Sequence, residues 1–388
     1  MAVSFITSPY QITPSDNPVR WTFASNQTGQ ANFSFIVEVY VNGVLDSRRE
    51  VFPEVGSRAH IDISDIMMRV TPLPSTTHTT VVKNSGNYTP CYIKVRERYG
   101  STPAYQADAT SSTVNCFKAS ITKKDFTVYN PSIYEIGQPI SLFMNYAPNT
   151  LRLNHDSNNI VTVFNVLLND LTIVFTLYDS TGSSITSADI SIPDTNLISQ
   201  INLRSSLLIA ETPITLALFN QASYLEYYCE QYGGDQVSEI KRVYFDQSEC
   251  GIRTHCVWLN KLGSFDCYTF THNKIVSAKI ESSTFERQFG AWVGNLFSYN
   301  ANGSGVVDFL KQTKSMIQVV SGFIQQDMQN FLVQNMYTSP LVYVSDGSTY
   351  EQMRIEATEY ELQNDDFEED FTEVVTLAFP NIDYSQVL

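Results

Sequence analysis

Apolar and polar side chains alternate most regularly early in the chain. Phe33, Phe35, Val37, Val39 and Val41 alternate with Ser34, Ile36, Glu38 and Tyr40, the period of two expected of a strand with one buried face. Asn42-Gly43 follows, a pair that readily takes the two positive φ angles of a tight hairpin turn, and Val44–Val51 reads as the returning strand. Shorter strand-like runs at 19–23, 59–63 and 92–98, separated by loops rich in Pro and Thr, extend this into a β-sandwich-like domain over residues 1–124.

The pattern restarts after residue 125. Residues 172–178 alternate again, with Ile173, Phe175 and Leu177 on one side, and end in the turn signal Asp179-Ser180-Thr181-Gly182. Residues 125–246 therefore read as a second β-sandwich-like domain. Tandem sandwiches of immunoglobulin or fibronectin III type are the fold expected of residues 1–246. The third segment, 247–388, differs because helical spacing appears in it. Ile324, Met328, Phe331, Leu332 and Met336 recur every three or four residues behind Ser321, a candidate N-cap, and Pro340 closes the run. One main helix over about 321–336 is predicted, followed by strands at 341–344, 352–359 and 373–379 and a turn at Asp346-Gly347. The overall expectation is a mainly β chain with a C-terminal α+β domain.

A length of 388 residues fits two or three domains better than one continuous core. Only 16% of residues are charged, so Ser, Thr, Asn and Gln carry the surface, and 22 Tyr with 23 Phe suit pleated strands. The formal charge of −16 argues against binding to nucleic acid through the phosphate backbone, which needs clustered Lys and Arg. From Glu351 onward eleven acidic residues face Arg354 alone, so that end supplies ten of the sixteen net charges. Six cysteines without a CxxC pair predict reduced, buried thiols. The opening Met-Ala-Val-Ser-Phe-Ile-Thr-Ser-Pro has no basic n-region before an apolar stretch, and no run approaches the ~18–20 apolar residues of a membrane span. Synthesis in a cytoplasm, with no membrane segment, is the expectation.

Motifs for catalysis are missing: no P-loop, HExxH, G-x-S-x-G or dinucleotide fingerprint occurs. The five histidines, His60, His78, His155, His255 and His272, are scattered. Cys250, His255, Cys256, Cys267 and His272 have metal-ligand chemistry, but they lack the tight knuckles of a zinc site, and neighbours on a strand point to opposite faces. Buried thiols beside surface histidines are the simpler reading. Asp365, Asp366, Glu368, Glu369 and Asp370 could be paired carboxylates or a calcium site; a solvated hairpin facing a partner or a lumen fits a charge run better. Clustered Tyr and the residues Trp21, Trp258 and Trp292 could stack on a sugar, though such rings more often anchor cores and interfaces. No catalytic residue, cofactor or metal is expected, and the chain reads as a non-enzyme.

One stretch resembles a known pattern. His255 to Phe270 reads His-Cys-Val-Trp-Leu-Asn-Lys-Leu-Gly-Ser-Phe-Asp-Cys-Tyr-Thr-Phe. Its Trp258, Leu259, Asn260, Gly263, Asp266, Tyr268 and Phe270, the helix ending at Met336, the run from Ser339 to Gly347 and the hairpin with Glu361 to Asp365 together resemble tail, collar or ring proteins of crAss-like bacteriophages that infect Bacteroidetes. The likeness covers about the last 140 residues, and the rest only by architecture. Physically, Asn260 and Gly263 bracket a tight turn, while Trp258, Leu259, Leu262, Tyr268 and Phe270 supply core area, so the motif specifies a fold or an interface rather than a reaction. The resemblance implies a virion structural protein made in the host cytoplasm. Its implied partners are copies of itself in a rotationally symmetric ring and adjacent tail, collar or portal-side proteins, with DNA passing through as cargo. The alternative is a receptor-binding tail protein that holds a host glycan.

Overall fold

The computed structural model describes residues 3–54, 56–136, 141–165, 170–231, 234–246, 253–272, 274–287, 290–299, 305–345, 349–356, 371–380 and 383–387. The chain is mainly β, with sandwiches in tandem followed by an α+β part. It divides into two compact units. One is Met1–Gln247 with Leu259–Cys267, and the other is Ser248–Trp258 with Tyr268–Leu388.

The first unit opens with a sandwich. A three-stranded sheet of Val3–Thr7, Arg20–Ser25 and Arg58–Asp62 packs against a larger one ordered Ile12–Pro14, Val114–Phe117, Tyr88–Tyr99, Ser34–Val41 and Val44–Val51, with Ala104–Thr110 paired to Tyr88–Tyr99. Their inner faces share one core. Trp21 and Phe23 meet Phe35, Val37, Val39, Ile93 and Val95, with the Phe23 and Phe35 rings edge to face at 5.0 Å. The predicted hairpin is present: Phe35 pairs with Val51 and Val41 with Val44, and Asn42 and Gly43 turn the chain at φ of 51° and 75°. A β-carbon at those angles crowds the following carbonyl, so Asn and Gly are the residues that tolerate them. The polar face departs from the simple alternation, because Glu38 is buried as well. Flanked on both sides in the sheet, it is neutralised by Arg48 at 2.6 Å and Arg96 at 3.3 Å.

A second pair of sheets completes this unit. Arg152–Leu153, Lys241–Phe245, Tyr224–Gln231, Leu171–Tyr178 and Ser184–Ile192 form the larger one, and Leu171–Tyr178 buries alternate residues as its sequence predicts. The smaller holds Ile160–Phe164, Ile198–Asn202 and Val82–Asn84. Val82–Asn84, from early in the chain, thus supplies the outer strand of a sheet made by much later residues.

In the second unit, Thr254–Leu259, Val342–Ser345, Tyr350–Ile355, Phe371–Ala378, Gly305–Ile324 and Lys274–Arg287 follow one another across one sheet. The predicted helix starts later than its periodicity suggested. Residues 321–324 still belong to the strand Gly305–Ile324, with Phe323 opposite Thr372 and Ile324 opposite Phe371. The Ser321 hydroxyl, expected to cap the helix, instead accepts a hydrogen bond from the Glu373 amide at 2.8 Å. The helix is Gln326–Phe331, continued by a wider turn over Leu332–Met336, and it buries Met328, Phe331, Leu332, Val333 and Met336. Ile324 falls on the same apolar spacing only because it is buried on the adjoining strand. The turn expected at Asp346-Gly347 and the end of the strand expected at 352–359 lie outside the described residues.

Candidate functional site

The motif residues build a hairpin between the strands Thr254–Leu259 and Phe265–Phe270. Asn260 organises its turn. The side-chain carbonyl accepts from the amides of Leu262 (2.9 Å) and Ser264 (3.0 Å), and its side-chain amide donates to the Met144 carbonyl at 3.0 Å. Gly263 sits at φ +77°, where an added β-carbon would overlap the Lys118 carbonyl oxygen and lie 3.1 Å from Ala119 Cβ. The turn is held from the same side: Ser120 donates to the Lys261 carbonyl, and Asn87 donates to that of Gly263. Trp258, Leu259, Tyr268 and Phe270 are all buried, Trp258 against Phe331 at 5.3 Å between ring centres. Every motif side chain is therefore committed to packing or to a turn.

Asp266 is the motif residue with unusual electrostatics. It is 2% exposed, and burial pushes its carboxyl up to about 7, against the opposing pull of Asn260, the Tyr146 amide and Lys241. A carboxyl near 7 suits a general acid. Here its oxygens face the Tyr146 amide at 3.3 and 3.4 Å inside the fold, with no exposure through which a substrate could reach them.

The thiols are equally enclosed. Cys256 and Cys267 are buried, and burial raises both, Cys256 to about 12, so neither offers a thiolate near neutral pH. His255 is buried with Nδ1 3.0 Å from the Thr269 hydroxyl, whereas His272 is exposed. Among the described residues no three His, Cys, Asp or Glu side chains converge as metal ligands, and Cys250 lies outside them. The acidic residues Asp365, Asp366, Glu368, Glu369 and Asp370 also lie outside the described residues, as does the hairpin from Glu361 to Asp365. Of the aromatic groups, Trp21, Trp258 and Tyr227 are core, and Tyr224 stacks on Tyr178 at 4.9 Å with Arg242 over its ring at 4.7 Å. That ring face is occupied by a guanidinium rather than left open to a sugar.

A set of exposed apolar side chains lies where the sequence predicts no element. Lys274–Arg287 and Gly305–Ile324 run antiparallel as a long arm, from Lys274 opposite Val319 to Arg287 opposite Gly305. Between them in sequence, Gly290–Val293 and Leu296–Tyr299 form a small hairpin. There Trp292 is 70% exposed and Leu296 77%, with Val293 and Phe297 exposed beside them. Along the arm Ile275, Val276, Ile280, Phe285, Val306 and Phe323 are exposed too. Scattered surface apolar residues are ordinary, but several on two paired strands and the hairpin between them are grounds for reading a contact surface.

The sequence matches no protein-family model, and no curated protein matches it either. Among solved structures it is similar, at 10% identity, to a protein described as membrane-anchored from Corynebacterium diphtheriae, covering 65% of this chain and 60% of that one at a TM-score of 0.23. It is likewise similar to the FN1–FN3 domains of chicken CNTN1, at 10% identity, covering 60% and 61% at a TM-score of 0.16. The chain thus spans about three fifths of each of these matches. Likeness of this degree leaves the fold resting on the strand pairing itself. Among the described residues no helix is long and apolar enough to cross a membrane.

Proposed function

We propose that this chain is a structural subunit of a bacteriophage particle, a tail or collar ring component that joins copies of itself and neighbouring virion proteins around the DNA channel. The observation that carries the reading is the arm, and above all the exposed Trp292, Val293, Leu296 and Phe297 at its end. Trp292 and Phe297 pair across one face of this hairpin and Val293 and Leu296 across the other, and burying each side chain of this size contributes about 1.5–3 kcal/mol before the cost of association. A micromolar contact needs about 8 kcal/mol net of that cost, so flanking contacts along the arm must supply the balance of a reversible subunit interface. Identical subunits joined head to tail close into a ring when the rotation between them divides a full turn. The acidic C-terminal stretch suits a wall past which DNA slides, because like charge keeps phosphates from adhering. The resemblance of the motif hairpin to crAss-like phage tail and collar proteins supports the same reading.

The test is sedimentation velocity of the full chain over a range of concentrations, beside the double variant Trp292→Ser and Leu296→Ser. Both side chains are exposed, so the fold should survive with little change in melting temperature. Self-association should weaken 100-fold or more. An unaltered distribution of species would count against the arm as the subunit contact.

A further inference from the structure

The strand Lys274–Arg287 ends its sheet: its ladder runs to Gly305–Ile324 on one side, and among the described residues nothing pairs with its other edge. It has 14 residues, roughly 45 Å at ~3.3 Å each, and Ile275 to Glu286 are exposed on both faces. Such an edge is a template for another strand unless something blunts it. No proline interrupts it, and its lysines, which would repel a partner strand if unmatched, are balanced by glutamates on the same strand.

Its sequence is complementary to itself when reversed about Ile280. In an antiparallel pair centred on that residue, Lys279 of one copy faces Glu281 of the other, and Lys274 faces Glu286. Between these, Ile275 meets Phe285, Val276 meets Thr284, Ser277 meets Ser283, and the two Ile280 side chains meet on the axis. Opposite residues on antiparallel strands lie on one face about 4.5–5.5 Å apart, the range in which opposite charges and apolar pairs stabilise a sheet. Lys279 and Glu281 already share a face, their charged groups 2.8 Å apart, so two copies would alternate plus and minus around a square of four charges.

Neighbouring registers are worse. Opposite residues must both point their backbone groups at the partner or both away from it, so a two-fold axis passes through a residue facing its own copy, and the neighbouring registers centre on Lys279 or on Glu281. Centring on Lys279 sets lysine against lysine, and centring on Glu281 sets glutamate against glutamate. Like charges directly opposite are destabilising.

We propose that two copies of this chain pair along Lys274–Arg287, antiparallel about a two-fold axis at Ile280, joining their sheets into one. This contact is isologous, so it is distinct from a head-to-tail ring contact and does not rest on the ring reading.

The test uses full-length protein and sedimentation equilibrium. Lys279→Glu alone and Glu281→Lys alone each place like charges across the axis, and each should weaken pairing at least tenfold. An equimolar mixture of the two variants restores every opposite-charge pair between unlike chains and should recover pairing, as should the double swap within one chain. Separately, Ile280→Cys should cross-link copies under mild oxidation, whereas Val276→Cys, with its counterpart about 26 Å away, should not. Failure of the mixture to recover, or equal cross-linking at both positions, overturns the proposal. Rings that assemble without cross-linking at position 280 would overturn it while leaving the ring reading standing.

Discussion

Gly263→Ala is expected to lower the melting temperature of the unit containing the turn by roughly 10 °C, equivalent to about 4 kcal/mol in a unit of this size. Two effects act together. The backbone stands at φ +77°, which costs an alanine on the order of 1 kcal/mol, and the new methyl group overlaps the Lys118 carbonyl, which is backbone and has no rotamer to escape into. Ser120 and Asn87 tie the same segment to the turn, so relief requires breaking hydrogen bonds to Lys261 and Gly263. Thermal denaturation followed by circular dichroism measures it. A shift of only 1–2 °C would mean that the turn and the 118–120 segment do not pack as described.

The second large effect is on pH dependence. Asp266 has an ordinary value of 3.8 and is pushed up to about 7 in the fold by burial. Below pH 3.8 the carboxyl is protonated folded and unfolded alike, and its contribution to stability is fully present. Between 3.8 and about 7 the unfolded chain releases the proton while the folded chain keeps it, so stability falls as pH rises, by about 4 kcal/mol across the window. Above 7 the loss is complete. Asp266→Asn keeps the shape and an acceptor for the Tyr146 amide but carries no charge. It should match the parent near pH 4, exceed it by a few kcal/mol at pH 8, and flatten the profile between. Urea denaturation at the two pH values decides this, and a variant that parallels the parent at both would show that this carboxyl is not held against ionisation.

Much of the first sandwich is legible in the sequence because one buried face imposes a period of two and Asn42-Gly43 leaves few alternatives to a tight turn. Glu38 shows where that logic stops: alternation assigns it to solvent, but a strand flanked on both sides can bury both faces, and the pairing with Arg48 and Arg96 appears only in three dimensions. The helix starts later than its periodicity predicts for a related reason. Ile324 has the spacing of a helical face while sitting on a strand, and local periodicity cannot tell which element buries it. The arm leaves no signal in hydrophobic periodicity. Ile275 to Glu286 are exposed on both faces, so no burial imposes alternation on them, and the exposed Trp292 reads in sequence like any core tryptophan. Its clue was charge order, Lys274, Lys279, Glu281 and Glu286 placed symmetrically about Ile280, which only becomes meaningful once the strand has an open edge. In the motif, Asn260 and Gly263 were legible as turn residues, whereas the raised carboxyl of Asp266 depends on enclosure by residues more than a hundred positions away, such as Tyr146.

The central claim is that this molecule works by joining copies of itself into a closed ring. Negative-stain electron microscopy of the purified full-length chain asks it most directly. Closed rings of a single rotational symmetry are the predicted result, lost in the Trp292→Ser and Leu296→Ser variant. Particles no larger than a pair of chains at every concentration would contradict it.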